Sequence, residues 1–378
     1  MIWILSEIYL VKKNRKVKQG INRMGNIVGV PEKMKALVLH DVGKLSLDEV
    51  KVPKLKKGTV LVKIKASGIC SSDTERVFVN GTYHFPTIPG HEFSGQIVAL
   101  GEGVDEELLG RRTCVFPMLP CKTCKACKLE EYAQCSNYNY FGSRCDGGFA
   151  EYLVVPVWNL VPFDDSVPYE KAALCEPSAV SLHAINIANI KEGQTVGVIG
   201  TGTIGFMIGL FAKRLTSKVV ICGRNEEKLD FARKLGFEAI NLRKSDLKEK
   251  MDELTNGEGA DIMFEAVGTN AAINDAVRVT GAFGKVILVG NPKADLAMDR
   301  DIYWSILRKQ IAVLGSWNSS YNSSVNDWKT ALELFEDKNL PFEELITHKF
   351  KLKDYKEAFD VLIDSDEFSL KVMFTLDD

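Results

Sequence analysis

The chain has almost no net charge, no internal repeat, and no apolar run long enough to cross a bilayer as a helix. Its 48 basic and 50 acidic residues leave a formal charge of −2. That balance argues against a nucleic-acid or membrane-surface partner held by bulk electrostatics. The apolar stretch Met1–Val11 carries Glu7 and is too short to span a membrane. Lys12, Lys13, Arg15, Lys16 and Lys18 follow it, whereas a secretory signal places its positive charge ahead of the apolar segment. A mitochondrial presequence is the rival reading. Residues 1–33 read instead as a flexible extension, because a strand pattern starts abruptly at Met34. The lack of repeats and low-complexity tracts excludes a solenoid or an array.

What is present suits a globular protein. At 378 residues, with 46% hydrophobic and 26% charged side chains, the chain is expected to divide into two or three domains. Nine cysteines, four of them clustered, suggest metal binding in a reducing compartment, hence a cytoplasmic protein, rather than a disulfide framework.

Two rhythms divide the sequence. From Lys35 to about Val161, short β-branched runs such as Lys35–Leu39, Val60–Ala66, Phe93–Leu100 and Ala150–Val155 lie between Gly and Pro turns, which predicts an irregular, mainly β domain. After Pro177 the pattern alternates. Strands are predicted at Thr195–Ile199, Lys218–Cys222, Asp261–Ala266 and Lys285–Val289, and helices at Ile204–Leu215, Glu226–Leu235 and Asn270–Thr280. That alternation predicts βαβ units on a parallel sheet. A further helix, Val325–Asp337, and a strand, Leu370–Thr375, complete the tail.

Gly200, Gly202 and Gly205 form G-x-G-x-x-G between the first of these strands and its helix. The first glycine permits the tight turn, the second lets a pyrophosphate approach the backbone, and the third lets the helix pack close. Thr203 and Ile204 open the helix, and Val267 and Gly268 follow the strand Asp261–Ala266; all four join the candidate cofactor set. The second strand ends in Cys222-Gly223-Arg224-Asn225, without the acid that accepts ribose hydroxyls in NAD sites. Glu226 and Glu227 come late in the turn to replace it. Gly223 leaves room and Arg224 supplies charge for a 2′-phosphate, so NADP is expected over NAD.

Cys121, Cys124, Cys127 and Cys135 crowd one short lobe. Four thiolates at this spacing suit a closed tetrahedral zinc site. A ferredoxin-type run would place its fourth cysteine, followed by Pro, after three more residues. Cys114, Cys145 and Cys222 read as ordinary packed thiols. Further ligand-type residues are scattered: Cys70 and Asp73 in Gly-Ile-Cys-Ser-Ser-Asp, His91 and Glu92 after Pro89-Gly90, and Cys175 and Glu176 before Pro177. Each is weak alone. Together with a zinc lobe and a dinucleotide turn they provide the Cys, His and carboxylate that an open catalytic zinc site needs.

With these motifs, and with Asp-Gly-Gly-Phe-Ala-Glu-Tyr at 146–152, the chain resembles the zinc-containing medium-chain dehydrogenases from Met34 to Phe374. Within that family it is similar to the polyol dehydrogenases. The runs Ile306–Gln310 and Leu314–Tyr321 are similar to those of the galactitol-1-phosphate 5-dehydrogenase group. The resemblance implies an α/β protein: a GroES-like, mainly β catalytic domain from both chain ends (34–183 and 319–378, with a zinc lobe near 114–140) and an inserted Rossmann doubly wound sheet (184–318). It implies Cys70 and His91 as ligands of a catalytic zinc, with Glu92, Glu176 or water beside them and Cys175 as a rival. It implies that Ser72 relays the alcohol proton and that Asp73 orients His91. Two departures stand out: Ser71 where many relatives have glycine, and the missing acid at Gly223, which sets the NADP expectation against the family's usual NAD.

The expected activity is NAD(P)-linked oxidation of a secondary alcohol, in a polyol or polyol phosphate, to a ketone by a homodimer or homotetramer. Sorbitol, threonine or a simple secondary alcohol are the rival substrates, with Arg144 and Lys351 as candidate phosphate contacts. A non-catalytic dinucleotide-binding protein is the remote alternative, and the intact ligand set speaks against it.

Overall fold

The computed structural model describes residues 29–337, 339–364 and 367–376. Most of the expected extension, residues 1–28, lies outside these. Its last residues do not behave as an extension. The first strand is Lys33–Leu39, the amide of Val52 donates to the carbonyl of Glu32 at 3.0 Å, and Val30 packs on the core.

The central βαβ rhythm forms a six-stranded parallel sheet. Its order is Glu238–Asn241, Lys218–Gly223, Thr195–Ile199, Ala260–Glu265, Thr280–Leu288, Ala312–Gly315. The strand order therefore reverses beside Thr195–Ile199, where open α/β sheets bind ligands at the strands' carboxyl ends. Thr195–Ile199 is buried throughout, as expected of an apolar strand covered on both faces. The helix Glu226–Lys234 is amphipathic, burying Leu229 and Ala232. Asn225 caps it by accepting from the Lys228 amide at 3.0 Å.

A second, mainly antiparallel sheet of seven strands is built from both ends of the chain. Lys371–Thr375 pairs antiparallel with Thr59–Gly68, Met373 facing Gly68, and Thr59–Gly68 pairs with Glu92–Leu100. The tail also returns through aromatic packing. Phe116 stacks on Tyr321 at 4.3 Å and meets Trp328 edge-on at 5.7 Å.

Four helices of nine residues or more were not visible as sequence patterns: Cys175–Ala188, Leu247–Thr255, Arg300–Lys309 and Tyr355–Ile363. The first is buried on nearly every side. It packs with the helix Thr203–Lys213 in one continuous core, so it shows no polar face and no amphipathic period.

Trp328 is 1% exposed, and its indole N–H donates to Ser319 Oγ at 2.9 Å. Trp328→Ala should cost about 3–5 kcal/mol, because it opens a cavity beneath the returning tail. Urea unfolding checks this; a loss under about 1 kcal/mol would mean the tail is held elsewhere.

Candidate functional site

A cleft of about 550 Å³ lies between the two sheets' domains, lined from one side by Cys70, Ser72, His91, Glu92 and Glu176 and from the other by Gly202–Gly205 and Val267. Its floor begins at Cys70, which precedes the short helix Ser71–Glu75. Asp73 turns back to accept from the Cys70 amide at 3.0 Å, and it also accepts from Arg76 at 3.0 Å. The same guanidinium donates to Ser72 Oγ at 2.9 Å.

His91 enters from the Pro89–Gly90 turn. Gly90 has φ +94, and a Cβ there would lie 2.4 Å from the Phe149 ring, so both backbone conformation and space require glycine. His91 Nδ1 lies 3.4 Å from Asp73 Oδ1. Burial opposes charge on the imidazole, but the Asp73 carboxylate outweighs it and raises the His91 pKa well above the ordinary value. Burial likewise works against the Asp73 carboxylate, and His91 and Arg76 overcome it and hold its pKa below the usual range.

Glu92 begins the strand opposite Gly68. A Cβ on Gly68 would sit 2.3 Å from Glu92 Oε2, so glycine there makes room for the carboxylate. Glu92 Oε2 accepts from Lys371 Nζ at 2.5 Å, and that ammonium also donates to the Ile69 carbonyl at 3.3 Å. Glu176 makes no such ion pair among the described residues, though His91 and Lys371 act on it from farther away. Its Oε1 accepts from Tyr140 Oη at 3.3 Å, and burial pushes its pKa up to about 7. Cys70, His91 and Glu92 offer ligand atoms all within 4.8 Å of one another, a set that Glu176 borders without joining. Cys175 is placed elsewhere: it is buried, with its thiol directed to the Trp328 carbonyl at 3.4 Å. Its helix turns it into the core while Glu176 faces the cleft, so it is no ligand.

The four clustered cysteines also converge within 4.8 Å. Cys121 and Cys127 sulfurs are 4.0 Å apart, and those of Cys124 and Cys135 are 3.9 Å apart. A tetrahedron with Zn–S bonds of about 2.3 Å has edges of roughly 3.8 Å, so the cage fits zinc as it stands. Backbone amides point at the sulfurs, Cys121 N to Cys135 Sγ at 3.3 Å and Cys124 N to Cys121 Sγ at 3.4 Å. Amides of Cys127 and Ser136 lower the Cys124 pKa to about 5, whereas burial pushes Cys127 up to about 12. The remaining thiols are unremarkable: Cys114 donates to the Ala172 carbonyl at 3.0 Å, and burial raises Cys145 and Cys222 to about 12.

On the dinucleotide side, Gly200 has φ +131, and a Cβ on Gly205 would lie 2.0 Å from the Gly200 carbonyl. Gly202 faces open space at the start of Thr203–Lys213, where unpaired amides await an anion. Ile204 lines the cleft, but the Thr203 hydroxyl is taken, donating to the Leu370 carbonyl across the cleft at 3.0 Å. Val267 lines the cleft, and the amides of Val267 and Gly268 both donate to Glu265 Oε1, at 2.8 and 2.7 Å. Gly223 and Arg224 lie outside the lining. Gly223 is buried, and a Cβ there would meet Thr201 Cγ2 at 2.3 Å; Arg224 is exposed beyond the strand. Arg144 lines the cleft and Lys351 does not.

Sequence reasoning missed Arg76, Tyr140, Lys228 and Lys371. A lysine within the apolar run Leu370–Phe374 was the one available signal.

Residues 56–165 match the alcohol dehydrogenase GroES-like domain and residues 203–337 match the zinc-binding dehydrogenase domain. The chain is 36% identical over 332 residues to galactitol 1-phosphate 5-dehydrogenase of Escherichia coli K12, covering 86% of this chain and 95% of the relative. It is 32% identical over 365 residues to erythritol/L-threitol dehydrogenase of Mycolicibacterium smegmatis, covering 91% and 98%. The crystal structure of Escherichia coli galactitol-1-phosphate dehydrogenase superposes with a TM-score of 0.85 at 34% identity, over 91% of this chain and 100% of that one. A zinc-binding dehydrogenase from Sinorhizobium meliloti 1021, bound to NADP, superposes at 0.84 with 25% identity over 92% and 100%. An alcohol dehydrogenase from Escherichia coli CFT073, complexed with NADH, does so at 0.84 with 27% identity over 92% and 100%. The chain therefore belongs to the zinc-dependent medium-chain alcohol and polyol dehydrogenases, oxidoreductases acting on CH–OH groups.

Proposed function

We propose that the chain oxidises a secondary alcohol of a polyol or polyol phosphate to a ketone, using one catalytic and one structural zinc. The observation that carries this is the Cys70–His91–Glu92 cluster at the floor of a cleft whose opposite wall is the Gly202–Gly205 turn. A soft thiolate, an imidazole and a carboxylate are a donor set suited to zinc. Glu92 is already paired with Lys371, whereas Glu176 makes no ion pair within 4.0 Å among the described residues, and burial outweighs the more distant pull of His91 and Lys371 on it. Glu176 is therefore the carboxylate that gains most from a metal. When bound, zinc supplies a Lewis acid that makes the substrate hydroxyl acidic, and the nicotinamide supplies the hydride acceptor. The chain's own residues position and exchange protons. Asp73 fixes the ring of His91 from behind, and Arg76 fixes Asp73. Ser72 accepts from Arg76 and so keeps its own proton free to hand on, which suits it to pass the alcohol proton outward. Ile69, Met118, Val180 and Leu362 supply an apolar lining that limits water.

For the cofactor we favour NADP. No acid stands at Gly223, Thr201 fills the space such an acid would use, and Arg224 is exposed without an ion-pair partner among the described residues. Lys228 adds a second cation that lines the cleft.

The sheet edge points to a dimer. Ala312–Gly315 is exposed along its length and ends the parallel sheet. Trp304 and Leu307 on the neighbouring helix are also exposed, at 48% and 49%. An apolar edge strand without a charge invites pairing, and a second copy meeting it about a two-fold axis would double the sheet. Among the described residues no helix is long and apolar enough to cross a membrane. Nine free cysteines favour a reducing, cytoplasmic setting.

Metal analysis of fully loaded enzyme should find two zinc ions per chain. Cys70→Ala should lose one of them and all turnover, with folding retained; one zinc in the unmutated protein would refute the reading. For the cofactor, kcat/KM should favour NADP about tenfold, since an exposed charge-assisted bond works at the low end of 1.5–3 kcal/mol. Thr201→Gly with Gly223→Asp should reverse the preference, and an unmutated enzyme that prefers NAD would show the arginine to be idle. Leu314→Lys should convert a dimer to a monomer in light scattering; an unchanged mass would place the interface elsewhere.

A further inference from the structure

Five lysine and arginine side chains line the cleft: Arg76, Arg144, Lys228, Lys293 and Lys371. Three are neutralised in place. Arg76 pairs with Asp73 at 3.0 Å, Lys293 with Glu75 at 2.8 Å and Lys371 with Glu92 at 2.5 Å. Lys228 and Arg144 have no carboxylate within ion-pair distance among the described residues. Lys228 lies on the helix Glu226–Lys234 of the dinucleotide domain, where the cofactor's own phosphates are the natural partners. Arg144 belongs to the opposite wall.

Resting on the dehydrogenase reading above, we propose that Arg144 is the receptor for a terminal oxyanion of the substrate, a phosphate monoester or a carboxylate, and so determines specificity for an anionic polyol. Its guanidinium is sandwiched, 4.1 Å from the Tyr83 ring centre and 4.3 Å from that of Tyr138. It donates to Tyr83 Oη at 3.0 Å and to the Tyr138 carbonyl at 3.4 Å. These contacts fix the plane of the fork and use only part of its donor capacity. Neither partner carries charge, so the cation keeps its demand for an anion. A fixed, charged fork with unused N–H groups is the form in which arginine recognises carboxylate and phosphate bidentately.

Its place relative to the reacting group is fixed as well. The Arg144 amide donates to the Tyr140 carbonyl at 2.9 Å. A Cβ on Gly142 would come within 2.5 Å of the Gly90 carbonyl, so this loop lies against the turn that presents His91. The Tyr140 ring centre is 5.7 Å from that of His91 and 6.3 Å from that of Tyr138, on which Arg144 lies. Arg144 is thus set apart from the metal cluster while lining the same cleft. A chain whose reacting carbinol and anionic end are different groups can meet both. Ser71 and Ser143, which also line the cleft, offer hydroxyls to the carbons between.

The alternative is that Arg144 only braces Tyr83 and Tyr138. Zinc-loaded enzyme and its Arg144→Gln and Arg144→Lys variants are assayed with galactitol 1-phosphate, L-idonate and galactitol. Binding of each is also followed by calorimetry without nicotinamide. At least one anion should exceed galactitol in kcat/KM, and Arg144→Gln should lower that anion-to-galactitol ratio about 10- to 150-fold, mainly through KM. Arg144→Lys should fall between. Galactitol 1-phosphate and L-idonate separate the phosphate from the carboxylate. Equal losses on anion and neutral polyol, or a neutral polyol preferred by the unmutated enzyme, would overturn the proposal and leave the dehydrogenase reading intact. If no alcohol is oxidised, that reading fails, and calorimetry still decides: anion binding lost in Arg144→Gln supports the receptor, and no anion binding refutes it.

Discussion

The site depends on one steric constraint: the backbone at Gly142 and at Gly147–Gly148 must pass within contact of the Pro89–Gly90 turn. A Cβ on Gly142 would lie 2.5 Å from the Gly90 carbonyl, and one on Gly147 would lie 2.1 Å from it. The Gly148 amide closes the knot by donating to that same carbonyl at 2.8 Å. Only glycines permit this approach. Because they do, His91, Tyr140 and Arg144 are carried on touching loops, and their mutual distances are set by main chain rather than by flexible side chains. A methyl group at Gly142 or Gly147 would collide with the Gly90 carbonyl and so displace the turn that carries the imidazole.

Around that knot the buried charges are almost balanced. Asp73 answers His91 and Arg76, and Glu92 answers Lys371. Glu176 has no ion pair of its own: Tyr140 donates to it, and His91 and Lys371 act on it from nearby without cancelling the effect of burial. Such a buried carboxylate is costly to ionise, and a dication beside it would lower that cost. Metal binding would then be coupled to stability.

Much of this was legible in the sequence for definite reasons. The parallel sheet announced itself because Thr195–Ile199, Lys218–Gly223 and Ala260–Glu265 are short apolar strands separated by helices. The cysteine lobe was legible because its four ligands are near neighbours. The helix Cys175–Ala188 was hidden by its own burial: with no polar face it has no period to read. The buried Lys371 is 279 positions from its partner Glu92, and no local pattern reports such a pairing. The amide of Gly268 serves Glu265, a buried carboxylate whose loop partners no sequence pattern reports. Cys175 could not be separated from Glu176 as a candidate ligand by sequence, since adjacent residues differ only in which side of a helix they occupy.

The two domains are joined by contacts that tie the cofactor turn to the metal site. Thr203, the first residue of the helix behind the glycine turn, donates to the carbonyl of Leu370. The next residue, Lys371, holds Glu92. The helix start beside Gly202 is therefore one hydrogen bond and one residue removed from the buried ion pair. Lys293, from the loop after Thr280–Leu288, reaches across to Glu75 on the helix that carries Ser72 and Asp73. That contact is largely exposed, with the lysine 72% accessible, so it contributes little stability. The Thr203–Leu370 contact is partly buried and made to backbone, so it is the firmer of the two.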